Sequence, residues 1–131
     1  MANETILIVQ DDFLAAERLR VVLEQAGYRI AGLAGRTAEA VCLTEQEAPD
    51  LAIIDMMLEI DVDGIATATE LAKRREIKIL ITTGFPDSLV ESEGVHEFAC
   101  AVLKKPFTDE EILQAVKDCL SRSEDPSGPP G

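Results

Sequence analysis

Four short apolar runs, each followed by carboxylate, hydroxyl or ammonium side chains, constrain the fold of this chain most strongly. The runs are Ile6–Val9, Leu51–Ile54, Ile77–Ile81 and Ala99–Leu103, and the residues that follow them are Asp11 and Asp12, Asp55, Thr82 and Thr83, and Lys104 and Lys105. Runs of this length, bounded by polar residues, are typical of buried strands. If the strands are parallel, their carboxyl ends share one edge, where open α/β sheets hold their ligands. Three carboxylates, a hydroxyl and an ammonium are therefore predicted to share one small pocket.

Segments with helical spacing lie between the runs. Apolar residues recur at intervals of three and four before Gly27, and again over Thr37–Glu47, which follows a further apolar run at Tyr28–Ala34. Later helices are predicted over about 65–72, from about 88 and from about 108, the last two because S/T-x-x-E forms a capping box. Five strands alternating with five helices predict an α/β fold with a doubly wound, five-stranded parallel sheet.

Length and charge limit the function classes. The 131 residues fit one domain, predicted over 4–122, with residues 123–131 as a disordered tail or linker because they are rich in Pro, Gly and Ser. Twelve basic against 25 acidic residues give a net charge of −13. This charge repels polyanions, so neither nucleic acid nor an anionic membrane surface is an expected partner.

The cysteines and the N-terminus bear on location. Cys42, Cys100 and Cys119 are odd in number and form no C-x-x-C pair, so we expect buried thiols in a reducing compartment. The first residues show no basic segment followed by a long apolar core, and no apolar run has membrane-spanning length. A cytoplasmic protein is expected.

The residues at the predicted sheet edge suit phosphoryl chemistry. Asp55 could act as a nucleophile toward phosphorus, while a lysine and a threonine hydroxyl contact phosphate oxygens. Clustered carboxylates need a compensating cation, and Mg²⁺ suits oxygen ligands. Zinc fits less well, because His96 is the sole histidine and the cysteines lie elsewhere.

The chain resembles the receiver domain of two-component response regulators over roughly Thr5 to Leu120. The matching motifs are the acidic pair Asp11-Asp12, the phosphoacceptor Asp55, the hydroxyl residue Thr83 and the pair Lys105-Pro106, in the order that the family shows. The resemblance implies a (βα)5 flavodoxin-like fold. It also implies a signalling module whose only catalysis is its own phosphorylation and dephosphorylation.

The resemblance also implies the role of each residue. Asp12 would bind Mg²⁺ directly, Asp11 largely through water, Asp55 as ligand and phosphoacceptor, and Met57 through its backbone carbonyl. Lys105 is favoured over Lys104 because the family lysine directly precedes a proline, whose peptide bond is cis in the family. Thr83 is favoured over Thr82 because Gly84 follows it.

Partners and output follow from the same resemblance. The phosphoryl donor would be a sensor histidine kinase or a phosphotransfer protein, and a phosphorylation-dependent homodimer is one of several outputs. Partners usually dock on the surface made by the fourth helix, the fifth strand and the fifth helix. The family's aromatic switch position falls at Val102, so switching is not expected to follow a simple threonine-to-aromatic coupling.

Two other functions compete with this interpretation. A phosphohydrolase of the haloacid dehalogenase type also uses an aspartate nucleophile with Mg²⁺, but it needs a second aspartate at the position of Met57. A receiver-like interaction module that no longer needs phosphate would have no packing reason to keep three carboxylates together.

Overall fold

The computed structural model describes residues 4–56, 71, 77–84 and 99–121. In chain order the elements are β1 (Thr5–Val9), α1 (Phe13–Gln25), β2 (Arg29–Ala34), α2 (Thr37–Glu47), β3 (Leu51–Asp55), β4 (Lys78–Thr83), β5 (Ala101–Lys104) and α3 (Asp109–Ser121). The strands form one parallel sheet in the order β2-β1-β3-β4-β5. The predicted doubly wound parallel sheet is confirmed.

Some predicted segments lie outside the described residues. They are the fourth predicted helix with its capping box at Ser88 and Glu91, the tail at 123–131, and all of the third predicted helix except Leu71. Leu71 is helical and fully buried. The helix named α3 here is the fifth helix of the sequence prediction.

Alternation along the strands divides the core into two layers. One layer contains Leu7, Val9, Ala52, Ile54, Ile79 and Ile81 and continues to Ala40 of α2. The other contains Ile6, Ile8, Leu51, Ile53 and Leu80, which pack on Leu19 and Leu23 of α1 and on Ile112 and Val116 of α3. Because successive strand side chains point to opposite faces, every central strand is apolar on both sides.

The helix ends follow local rules. Asp12 is the N-cap of α1. After that helix the chain turns at Gly27, whose φ of 99° favours glycine. At the start of α3, Thr108 and Glu111 form a reciprocal capping box: each backbone N–H donates to the other's side chain, at 2.8 and 3.1 Å. None of the described helices is both long and apolar enough to span a bilayer.

The cysteine prediction is wrong. Cys100, just before β5, and Cys119 of α3 form a disulfide with a Cα–Cα distance of 5.7 Å, and Cys42 is exposed on α2. The residues are 19 apart in sequence, and the packing of α3 on β5 brings them together. The inference of a reducing compartment therefore loses its support.

Candidate functional site

Strand register places the phosphoacceptor candidate beside a residue that the sequence analysis did not single out. Val9 pairs with Ile54, so Gln10 and Asp55 are the next neighbours at the carboxyl ends of β1 and β3. Gln10 is two residues after Ile8, and Asp55 is two residues after Ile53. Because strand side chains alternate between faces, Gln10 and Asp55 lie on the same face as those isoleucines, which is the face that α1 and α3 cover. Asp55 is 3% exposed and Gln10 8% exposed.

Two donors meet one oxygen of Asp55. The Lys105 Nζ donates to Asp55 Oδ2 at 2.6 Å, and the Gln10 Nε2 donates to the same oxygen at 2.5 Å. The Lys105 side chain is 36% exposed, so this ion pair links a buried carboxylate to an ammonium at the surface. A buried carboxylate without such partners would be costly, and the pair explains how Asp55 is accommodated.

The aspartates after β1 have different surroundings. The Asp12 carboxylate accepts hydrogen bonds from the N–H groups of Leu14 and Ala15, at 3.0 and 3.2 Å, and Asp12 itself is exposed. Asp11 is half-buried. Within the described ranges, no three or more His, Cys, Asp or Glu side chains form a group able to hold a metal. The expected cluster of three carboxylates is therefore not found there, because Asp12 caps α1 and an amide, Gln10, lies next to Asp55.

The two threonines that end β4 are both buried, but they differ in position. Asp55 pairs with Thr82, which lies beside Gln10 and Lys105 in the wall of one cavity. Thr83 pairs with Lys104, and its carbonyl accepts the backbone N–H of Lys105 at 2.7 Å. Register therefore places Thr82 directly beside Asp55, and Thr83 is linked to the segment that carries Lys105.

The end of β5 distinguishes the two lysines. Lys104 is the last residue of the strand. Lys105 follows it, and its side chain contacts the Asp55 carboxylate. The peptide bond between Lys105 and Pro106 is cis, as the resemblance implied. The preference for Lys105 over Lys104 therefore agrees with the contact to Asp55.

A cavity of about 320 Å³ opens next to these side chains, between α1 and the start of α3. Its wall includes Gln10, Arg18, Thr82, Lys105 and Phe107. On the first turn of α1, Phe13 and Leu14 are 68% and 77% exposed. The cavity thus reaches Gln10 and Lys105, the two side chains that donate to the Asp55 carboxylate.

Two predicted positions add little to the site geometry. Met57 lies outside the described residues. Val102 of β5 pairs with Ile81 and packs, partly buried, against the core layer that contains Val9 and Ile54. Gln10, by contrast, could have been found from sequence only by extending the first strand by one residue and aligning it with the third.

Two solved structures that resemble this chain are receiver domains. The signal receiver domain of a modulated diguanylate cyclase from Desulfovibrio desulfuricans G20 is 30% identical, with a TM-score of 0.81, covering 90% of this chain and 94% of that one. A CheY-like response regulator receiver domain protein from Methanospirillum hungatei JF-1 is 27% identical, with a TM-score of 0.81, covering 91% and 94%.

Curated relatives agree with the structural neighbours. The transcriptional regulatory protein PdtaR of Mycobacterium tuberculosis is 35% identical over 117 residues, which are 89% of this chain and 57% of that protein. PhoP of Bacillus subtilis, a transcriptional regulatory protein of alkaline phosphatase synthesis, is 32% identical over 93% of this chain and 50% of its own length. This chain thus spans about half the length of these relatives. The sequence model of the response regulator receiver domain matches residues 6–117, and the chain therefore belongs to that family.

Proposed function

We propose that Asp55 accepts a phosphoryl group from a phosphohistidine of a sensor histidine kinase or phosphotransfer protein, and that the resulting aspartyl phosphate changes which partners this domain binds. The observation that carries the proposal is the buried Asp55 carboxylate, held by the Lys105 ammonium at 2.6 Å at the edge of the parallel sheet. Family membership supports the same reaction.

In the transfer, an Asp55 oxygen forms a bond to phosphorus as the bond from phosphorus to the donor nitrogen breaks. Lys105, already at the carboxylate, is placed to contact an oxygen of the incoming group, and its charge offsets the negative charge there. We assign Thr83 as the hydroxyl donor, as the family resemblance implies, and its backbone bond to Lys105 supports this role. Thr82 is the second hydroxyl residue near the acceptor.

The donor set fits Mg²⁺, which commonly uses one or two carboxylates with waters and phosphate oxygens. Asp55 is the last residue of β3, and the half-buried Asp11 lies two residues after the neighbouring strand β1. We assign Asp11 and Asp55 as the metal ligands, with Met57 as the carbonyl ligand implied by resemblance, and Asp12 chiefly as the helix cap. When bound, the metal would neutralise charge on the phosphoryl oxygens.

The surface of α1 supports a protein as phosphodonor. Phe13 and Leu14 are exposed on the first turn of α1, the helix whose Ala15 and Arg18 line the cavity. A phosphohistidine-bearing helix could bury these side chains while its imidazole reaches the carboxylate. The net charge of −13 is unfavourable for nucleic acid or anionic membranes as direct partners of this domain.

We infer a signalling module rather than a metabolic enzyme, acting in the cytoplasm and able to form a homodimer after phosphorylation. Its catalysis would be limited to forming and losing its own aspartyl phosphate. The phosphohydrolase alternative is set aside, because the chain belongs to the receiver family.

The test is direct phosphorylation in the presence of Mg²⁺. The wild-type chain and Asp55→Asn are incubated with acetyl phosphate, and intact mass is followed. Asp50→Asn is the matched control, because Asp50 precedes the same strand at the opposite edge of the sheet, where its carboxylate accepts the Thr5 N–H at 2.9 Å.

A phosphate adduct in the wild type and in Asp50→Asn, but not in Asp55→Asn, is the expected result. Loss of the adduct when EDTA replaces Mg²⁺ is expected as well. A folded wild-type chain that binds Mg²⁺ yet forms no adduct, under conditions that modify another receiver domain, would contradict the proposal. It would favour an interaction module that does not use phosphate.

A further inference from the structure

Gln10 is held in one orientation by two hydrogen bonds. Its Oε1 accepts the backbone N–H of Asp12 at 2.9 Å, and its Nε2 donates to Asp55 Oδ2. A backbone N–H requires an acceptor and a carboxylate requires a donor, so only this orientation of the amide satisfies both neighbours. Because the side chain is 8% exposed, water competes little for either bond.

One oxygen of Asp55 accepts two hydrogen bonds. Both Gln10 Nε2 and Lys105 Nζ donate to Oδ2. Two donors stabilise negative charge on that atom and lower its nucleophilicity.

We propose that Gln10 is a positioning residue that shortens the lifetime of the aspartyl phosphate; this inference rests on the proposed function of Asp55. In hydrolysis, a water oxygen attacks phosphorus and the bond from phosphorus to the Asp55 oxygen breaks. The electron pair of that bond returns to the carboxylate, inorganic phosphate leaves, and a proton of the water passes to solvent. Negative charge on the Asp55 carboxylate therefore grows as the bond breaks.

The Gln10 amide favours this change in charge. A hydrogen bond to a carboxylate is about twice as strong as one to a neutral carbonyl oxygen. The Gln10 bond to Oδ2 therefore strengthens as the aspartyl phosphate is lost, and it stabilises the departing carboxylate more than the acyl phosphate. Its removal should lengthen the lifetime of the adduct about fivefold.

The experiment compares Gln10→Met with Gln114→Met. Gln114 on α3 is exposed and donates to the Asp118 carboxylate at 2.8 Å, so the control loses the same kind of bond away from the site. Each chain is phosphorylated with acetyl phosphate and desalted into saturating Mg²⁺. Loss of the adduct is timed by intact mass, and thermal melting checks the fold.

Gln10→Met should keep its adduct about fivefold longer than the wild type, while Gln114→Met should match the wild type. Gln10→Glu is the second variant for the case in which Gln10→Met does not fold. It keeps the acceptor for the Asp12 N–H but cannot donate when ionised, so its adduct should also outlast that of the wild type.

A side-chain amide signal gives an independent readout. The NMR resonance of the Gln10 NH₂ group should move in Asp55→Asn and stay in place in Asp50→Asn. An unchanged or shorter lifetime in a folded Gln10 variant overturns the inference while the proposed function stands. Absence of an adduct from the wild-type chain as well would instead mean that the proposed function itself has failed.

Discussion

Replacement of Asp12 tests whether its carboxylate caps α1. Asp12→Ala removes the acceptor of two backbone N–H groups, those of Leu14 and Ala15, in the first turn of a helix of 13 residues. Loss of an N-cap costs about 1 kcal/mol, and the upper part of the known range does not apply because the position is exposed and water can replace the cap. For a domain of this size, that loss lowers the melting temperature by about 3 °C.

Asp12→Ser is the matched variant. A serine hydroxyl caps a helix about as well as a carboxylate, so the free energy of unfolding should stay within about 0.5 kcal/mol of the wild type. Urea unfolding in EDTA measures the free energy of unfolding of both variants without any contribution from bound metal. Equal stability of Asp12→Ala and the wild type, or a similar loss in Asp12→Ser, would refute the capping argument.

Asp12→Ser and a new variant, Asp11→Ser, together test whether Asp11 or Asp12 is the direct metal ligand. If Asp11 is the ligand, Asp11→Ser should weaken Mg²⁺ binding by at least about tenfold, whereas Asp12→Ser should leave it within about twofold. NMR titration with Mg²⁺ gives both affinities. The opposite order would restore the direct role for Asp12 that family resemblance implied.

Three further predictions use other contacts. Lys105→Met should lower the free energy of unfolding by about 1–2 kcal/mol, since it leaves the Asp55 carboxylate without its cation, and the loss should shrink when Asp55→Asn is combined with it in urea unfolding. Leu14→Ala should slow phosphorylation by a histidine kinase and leave phosphorylation by acetyl phosphate unchanged; equal slowing with both donors would contradict the docking role. Thiol titration of the unfolded, unreduced chain should find one free cysteine rather than three, and reduction should cost about 3 kcal/mol of stability for the ring that Cys100 and Cys119 close.

Much of the fold could be predicted from local patterns. The predicted second helix, Thr37–Glu47, has the bounds found for α2, and the capping box at Thr108 correctly located the start of α3. Apolar runs located the strands to within two residues at their ends, as with Ala99–Leu103 against β5 at Ala101–Lys104. Such features depend on residues near in sequence, which is why a sequence shows them.

The parts that were missed depend on residues distant in sequence. Gln10 carries no charge and belongs to no motif, and its role follows from the pairing of β1 with β3. The disulfide depends on the packing of α3 against the start of β5, which no cysteine spacing rule predicts. The resemblance implied metal binding for Asp12, and its hydrogen bonds to α1 show a capping role as well.

The disulfide also changes how the end of the domain can open. Residues 100–119 form a covalent ring that contains Lys105 and most of α3. The C-terminal turn of a helix usually frays by itself, but here Cys119 remains tethered to Cys100 when that turn loosens. Amide protons of β5 and of the last turn of α3 should therefore exchange as one unit in the oxidised chain and as two after reduction. A protease cut inside the ring would leave both fragments joined until reductant is added.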